Sequence, residues 1–343
     1  MIVLPSKESI VKAASIIKSG GLVAFPTETV YGLGANAFSD DACRAIFKVK
    51  GRPSFNPLIV HISSMSELGT VAAIPHSTSI ERRISLLASL WPGPLSMILP
   101  KSPKISSVVT AGLTTVAVRV PDHPIALALI RAAGLPIAAP SANPFTGISP
   151  TTAQHVEDGI GEHSPFILDG GPCRVGLEST IVSVLEPKVR ILRPGGVTLE
   201  QLISLLGEDE VDLSPQPPGF SSFPASSPAS FPASSPVIAP GMLEQHYAPR
   251  TPLAFRSDIP ANKLPAKVGL LSFREPSLEE HLPAFTSIYV LSNEGDLEEA
   301  AANLFAALRN LDRQDLDLIL VDTFPNDGLG LAIMDRLRRA CHS

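Results

Sequence analysis

Between residues 214 and 240 the chain cannot build a packed core. It reads Ser-Pro-Gln-Pro-Pro-Gly and then runs Phe-Pro-Ala-Ser-Ser-Pro twice, at 223–228 and 231–236. Proline lacks a backbone donor and serine has little to bury, so this composition favours extended, polyproline-like chain. The duplication reads as linker drift rather than a fold repeat. A chain of 343 residues interrupted there divides into a part at 1–213 and a part at 250–343, each long enough for its own core.

Hydrophobic residues make up 44% of the chain and charged residues 17%, as expected of a globular protein. No apolar run is long enough to span a bilayer, and the N-terminus lacks the order of a signal peptide. Cys43, Cys173 and Cys341 are three in number and far apart, which excludes a Cys-x-x-Cys pair and argues against a disulfide framework or zinc site. The cytoplasm is the expected compartment. Net charge is −6, with 17 basic and 18 acidic residues in 1–213 and 10 basic and 14 acidic in 250–343. Neither part is a basic nucleic-acid platform.

Residues 1–213 read as mixed α/β. Ile10, Val11, Ala14 and Ile17 form a helical stripe that Gly20 and Gly21 end. Strands are expected at 22–25, 57–62, 95–99, 115–120, 136–139, 165–168 and 180–185, and a closing helix at 200–206. Both helices and turns separate these strands, so a mixed sheet is expected. Residues 250–343 alternate strand (267–273, 287–291, 316–322) with helix (297–308, 329–340), the pattern of a small doubly wound, Rossmann-like unit.

The strand 22–25 runs into Pro26-Thr27-Glu28-Thr29-Val30-Tyr31. Polar groups there suggest a ligand at a strand's carboxyl end, where open α/β sheets bind theirs. Gly32-Leu33-Gly34-Ala35-Asn36-Ala37 matches G-x-G-x-x-A. The strand does not enter it directly, so these read as turn glycines rather than a dinucleotide fingerprint. With no P-loop, a phosphate site must use side-chain cations, and Lys48, Lys50 and Arg52, stiffened by Gly51 and Pro53, supply them. Pro140–Thr151 and Gly176–Thr180 add hydroxyls in Pro/Gly-stiffened loops suited to an anion, and Arg193 adds a further cation. Of eight His residues, only His61 is placed to face a ligand, and no metal-binding spacing occurs.

PTETVYGLG, KxKGRPxxNPL, WPGPL, VAVRVPDHP, PSANxxxGxSPT, LESTIV and RPG follow one another in one order between Gly21 and Gly195. Together they resemble the YrdC-like threonylcarbamoyl-AMP synthase family. Pro240–Pro249 and Gly328–Leu337 resemble the linker and C-terminal domain of its long form. The resemblance implies a YrdC-like twisted mixed-sheet catalytic domain at 1–213, a linker with a lid segment at 214–249 and a Rossmann-like accessory domain at 250–343. It implies a nucleotidyltransferase that converts L-threonine, bicarbonate or carbon dioxide, and ATP into threonylcarbamoyl-AMP and pyrophosphate. A separate tRNA threonylcarbamoyl transferase complex uses the product beside the anticodon. By the same resemblance, Thr29, His61, Arg119, Ala139 and Ser179 match threonine-contacting positions. Lys50 and Arg52 match catalytic positions. Arg52, Asn56, Thr115, Ser141, Ser149, Arg193 and Tyr247 match positions around ATP, with Tyr247 folding over the nucleotide. Magnesium is expected to arrive with the ATP phosphates rather than in a protein cage.

Three positions depart from the family pattern. Gln245 stands where a His is usual, Ser96 where a Thr is common, and Asp335 where an Asn is common. Asp335 reads as a surface or capping change. Other readings of the chain are an RNA-binding module, a carbamoyltransferase of the hydrogenase-maturation type and a nucleotide sensor. They are disfavoured, respectively, by the acidic balance, by the scattered cysteines and by the retention of both the cationic and the threonine-side residues.

Overall fold

A computed structural model describes residues 1–163, 166–213, 246–276 and 285–341. The duplicated linker and Gln245 lie outside the described residues. The strands up to residue 212 are β1 (Ile2–Val3), β2 (Val23–Phe25), β3 (Gly32–Asn36), β4 (Ile59–His61), β5 (Leu95–Pro100), β6 (Thr115–Arg119), β7 (Ile137–Ala138), β8 (Phe166–Leu168), β9 (Thr180–Ser183), β10 (Val189–Arg193) and β11 (Val211–Asp212). They form one twisted mixed sheet in the order β1-β8-β2-β3-β7-β4-β6-β5-β9-β10-β11. Its helices are α1 (Lys7–Lys18), α2 (Asp40–Lys50), α3 (Leu68–Val71), α4 (Thr78–Leu87), α5 (Pro124–Ala133), α6 (Ala153–Ile160) and α7 (Leu199–Leu206).

Alternation along each strand sorts the side chains onto two faces. Val60, Met97, Val118 and Val182 point into the large core with Ile46 and Phe47 of α2, Leu87 of α4 and Leu202 of α7. On the other face, α1 and α5 cover only one end. Ala13, Ile17, Leu129 and Ile130 pack there on Val23, Phe25, Ile137 and Leu168. Beyond them Ile59, Ile98, Ala117 and Ile181 form a small apolar floor that neither helix covers.

The segment Gly32–Asn36, expected as a turn, is the buried strand β3, paired antiparallel with β2 and β7. Its glycines serve packing. A Cβ at Gly34 would lie 2.8 Å from both Ile137 and the Phe25 ring.

A second, parallel sheet holds β12 (Leu253–Phe255), β13 (Val268–Ser272), β14 (Ser287–Val290) and β15 (Leu318–Val321) in the order β12-β15-β13-β14. Helices α8 (Leu297–Asp312) and α9 (Gly330–Cys341) share one core, packing Leu304, Phe305, Ile333 and Leu337 with Leu271, Ile319 and Val321. The opposite face, Val268, Leu270, Leu318 and Leu320, is covered by Ile259, Leu264 and Phe285. Among the described residues, then, this parallel sheet carries its helices on one side, where a doubly wound unit would carry them on both.

The two sheets' layers touch. Gly176, at φ +72°, sits where a Cβ would lie 2.5 Å from Ala302 Cα in α8. Gly176→Ala therefore meets both a left-handed backbone and a backbone clash. It is expected to cost about 2–4 kcal/mol and to lower the thermal midpoint, as calorimetry would record. An unchanged midpoint would show that α8 can move away freely.

Candidate functional site

Ile59 of the apolar floor lines a small cavity walled by polar side chains from several strands and loops. Ile59 and His61 stand two apart on β4, and register sets His61 opposite Arg119 on β6 and Ile59 opposite Ala117. Both polar side chains thus rise from one sheet face. Thr27 and Thr29 follow the end of β2, and His61 and Arg119 are the last residues of β4 and β6, so the polar lining stands at strand carboxyl ends as the sequence led one to expect.

One wall is the loop after β2. Thr27 Oγ1 donates to the Val30 carbonyl at 2.7 Å, so its 2.8 Å contact with Thr29 Oγ1 takes its proton from Thr29. Thr29 Oγ1 in turn accepts from Arg119 Nη1 at 2.9 Å. Arg119 Nη2 lies 2.6 Å from Glu28 Oε1, and both side chains are buried. The pair keeps the arginine's charge from standing alone in a dry site. His61 is buried edge-on to the Phe25 ring. Burial, reinforced by the Arg119 charge, pushes its pKa down to about 3, so the imidazole is neutral at physiological pH.

A second wall begins where α2 ends. Gly51 at φ +62° caps that helix and turns the chain sharply, which separates the cations on either side of it. Arg52 lines the cavity; its Nε and Nη2 donate to the Asn56 carbonyl, Asn56 Oδ1 and the Pro57 carbonyl. Lys50 is instead buried beneath, with Nζ on the carbonyls of Ser141 (2.6 Å) and Asn143. It does not line the cavity but braces the loop that presents Ser141. Burial holds the Lys50 ammonium well below its usual range and lowers Arg52 to about 9, with each further opposed by a neighbouring arginine.

The third wall is the turn before β9. Ser179 Oγ meets Ser96 Oγ at 2.8 Å, so the serine at 96 serves this contact. Arg193 donates to the Ser179 carbonyl at 2.8 Å and to Ser179 Oγ at 3.2 Å. It sits just past a shift in the β9–β10 pairing, an irregularity of the kind that re-aims a side chain. Glu178 also lines the cavity, bonded to Ser149 Oγ at 2.5 Å and to Arg336 Nε of α9 at 2.8 Å.

His246 and Tyr247 form the roof. Tyr247 adopts φ +66°, is buried, stacks on Phe305 of α8 and has the Arg336 guanidinium 5.1 Å from its ring centre. The backbone on either side is tied down, His246 N to the Arg339 carbonyl and Ala248 N to the Thr146 carbonyl. Burial lowers His246 to about 3 and raises Tyr247.

Nine of the thirteen residues singled out in the sequence line this one cavity: Thr29, Arg52, His61, Arg119, Ala139, Ser141, Ser179, Arg193 and Tyr247. Lys50, Asn56 and Ser149 stand behind it, bonded to the lining. Thr115 shares the face of Ala117 and Arg119 but lies farther along β6, outside the lining. Sequence reading missed His246, Glu178 and Arg336. Asp335, expected as a surface or capping change, accepts from Arg336 Nη1 at 2.6 Å and from Arg339 Nε at 3.0 Å. Among the described residues no three His, Cys, Asp or Glu side chains could hold a metal ion, and no helix is long and apolar enough to cross a membrane.

Residues 15–195 match a family model described as Sua5/YciO/YrdC, telomere recombination, and residues 197–341 match the threonylcarbamoyl-AMP synthase C-terminal domain. The chain belongs to the threonylcarbamoyl-AMP synthase family. It is 43% identical to the threonylcarbamoyl-AMP synthase of Bacillus subtilis, over 96% of this chain and 92% of that one. It is 38% identical to the one of Schizosaccharomyces pombe, over 98% and 88%. The crystal structure of Pyrococcus abyssi Sua5 complexed with L-threonine superposes with a TM-score of 0.82 at 40% identity, covering 100% of this chain and 97% of that one. The two family matches meet at 195–197, so α7 and β11, which pack on the large sheet, fall in the match to the synthase C-terminal domain.

Two outcomes test this synthase cavity. In Lys50→Met the two carbonyls lose a charged donor, which is expected to cost about 2–4 kcal/mol in urea unfolding as well as activity. A stable variant would place the lysine outside the framework. His61 and His246 each bind a proton in the unfolded chain near pH 6.5 but stay neutral in the fold until about pH 3. Stability is therefore fully present above pH 6.5 and falls toward pH 3, by about 2 kcal/mol per histidine at pH 5. Urea midpoints from pH 7 to pH 4 would record the slope, and His246→Phe should flatten it.

Proposed function

We propose that this cavity carries out the family's reaction, the synthesis of L-threonylcarbamoyl-AMP and pyrophosphate from L-threonine, bicarbonate or carbon dioxide, and ATP. This is the first step of tRNA threonylcarbamoyladenosine formation next to the anticodon. The observation that carries the reading is the convergence of two polar sets on one cavity. Thr29, His61, Arg119 and Ser179 stand on one side, and Arg52, Ser141 and Arg193 on the other, under Tyr247.

In this reading L-threonine lies over β4 and β6, its carboxylate against Arg119 and its hydroxyl and amine among Thr29, Ser179 and the Ala139 backbone. Because Glu28 already balances Arg119, the carboxylate meets a polarised pair rather than a bare cation. The nucleotide takes the Arg52, Ser141 and Arg193 side and runs along the sheet face toward Thr115. Asn56 and Ser149 hold Arg52 and Glu178 in place. The threonine nitrogen forms a bond to the carbon of carbon dioxide and gives up a proton. A carbamate oxygen then attacks the α-phosphorus, and the bond to the β-phosphate oxygen breaks to release pyrophosphate. Arg52 and Arg193 are already fixed by carbonyls, so they meet the developing charge without reorganising. Lys50 acts by bracing the Ser141 loop.

Magnesium, held by ATP's own phosphates, would neutralise part of their charge. Glu178, the carboxylate lining the cavity, is already engaged by Ser149 and Arg336. Residues 1–213 are read as the catalytic domain, 214–249 as a linker with a lid and 250–343 as an accessory domain. The product would pass in the cytoplasm to a separate tRNA threonylcarbamoyl transferase complex.

The test is pyrophosphate release by the full chain with ATP and magnesium. Release is expected only when L-threonine and bicarbonate are both added, and release without threonine would sink the reading. Arg52→Ala should lower the rate by ~100-fold or more while L-threonine still binds in calorimetry; near-wild-type turnover would remove Arg52 from the chemistry.

A further inference from the structure

Arg336 heads the fully buried side chains by size, yet it belongs to α9 of the small-sheet layer and is not part of the cavity lining. Its contacts all lead toward the cavity. Nε donates to Glu178 Oε2 at 2.8 Å, the guanidinium lies over the Tyr247 ring, and Nη1 is held by Asp335, whose other oxygen takes Arg339. One turn later the Arg339 carbonyl accepts from the His246 backbone. A single helix face of the second layer thus grips the acid in one wall and both residues of the roof.

We propose that Arg336 is a positioning residue for the nucleotide half of the cavity, acting through Glu178 and the Tyr247 ring. The inference rests on the function proposed above, with the nucleotide on the Arg52 and Arg193 side. Its physical basis is competition for charge. Glu178 is a buried carboxylate in a wall that must receive polyanionic phosphates. Left without a cation of its own, it would draw on Arg193, whose charge the phosphates need. Arg336 supplies the neutralising partner from outside the cavity, and Ser149 holds the second carboxylate oxygen. The same guanidinium lies against the Tyr247 ring, which also stacks on Phe305. Asp335 fixes Arg336 in turn, so the acid at this position is part of the device.

The groups that face Glu178 are Arg336 from α9, Arg193 from β10, Ser149 from the 140–151 loop, and His246 and Tyr247 from the roof, with Asp335 behind Arg336. Burial pushes the Glu178 carboxyl up, but Arg336 first and Arg193 second outweigh it and hold it below its usual range. Without Arg336 the carboxyl rises, so protonation at lower pH releases Arg193 and the variant's loss of ATP binding shrinks as pH falls.

The experiment uses the full chain and the variants Arg336→Met, Arg336→Lys, Glu178→Gln and the double variant Arg336→Met/Glu178→Gln. ATP binding and L-threonine binding are measured separately by calorimetry, and ATP binding and pyrophosphate release are measured across pH. Arg336→Met is expected to weaken ATP binding tenfold or more while leaving the L-threonine affinity within threefold. Its loss of ATP binding should shrink as pH falls. Arg336→Lys, which keeps charge but not the planar fork, should fall between it and wild type. The double variant should bind ATP better than Arg336→Met and should show no recovery at lower pH, since no carboxylate remains to titrate.

Equal losses for ATP and L-threonine, or an unchanged ATP affinity, would reduce Arg336 to a bolt between the layers and overturn the proposal. If Arg336→Met does not fold, Arg336→Lys and the double variant decide it by the same ATP-to-threonine comparison. Wild-type protein that binds ATP but releases no pyrophosphate would instead defeat the proposed function, and the binding comparison would still judge Arg336.

Discussion

The Glu178 carboxylate is where the two sheets and the cavity meet. One oxygen accepts from Ser149 in the loop after β7, the other from Arg336 in α9, and the residue itself sits beside Ser179 at the mouth of β9. A buried charge of this kind tolerates no vacancy among its partners, because an unpaired carboxylate in a dry interior costs several kcal/mol. Each partner is therefore held to its position, and the wall, the roof and the last helix are arranged together.

The other cations of the site are likewise anchored. Arg119 is balanced by Glu28, Lys50 is saturated by two carbonyls, and Arg52 is fixed by Asn56 and Pro57. None of these cations can wander, and none needs to be gathered when substrate arrives. The cost of holding several positive groups together away from water is met in advance by backbone carbonyls and two carboxylates. That is the form of preorganisation that phosphoryl chemistry exploits. The two neutral histidines, His61 and His246, add polarity to the cavity without adding further charge.

Much of this was legible in the chain itself. All seven strands expected in 1–213 exist within a few residues of their expected bounds, because β-branched apolar runs bounded by proline and glycine carry their own signal. Gly32–Asn36 misled for a physical reason. Its glycines make room for the Phe25 ring and Ile137, and close packing between strands leaves no local trace that distinguishes it from a turn. His246 and Arg336 escaped because nothing in their own segments marks them off from neighbouring polar residues. Their importance comes from what lies opposite them, more than a hundred residues away in the case of Arg336 and Glu178.

The sequence by itself determined the family, the mixed α/β class and most of the side chains that converge on the cavity. These depend on residue identity and on spacing within one strand or loop. Only the tertiary structure decided which strand ends share the cavity, that Lys50 braces a loop while Arg52 faces the space, and that α9 reaches back to grip Glu178 and Tyr247. Strand order, register and the contact of two layers are set by the simultaneous burial of distant segments. No local run of residues encodes which pairs will share one low-dielectric interior.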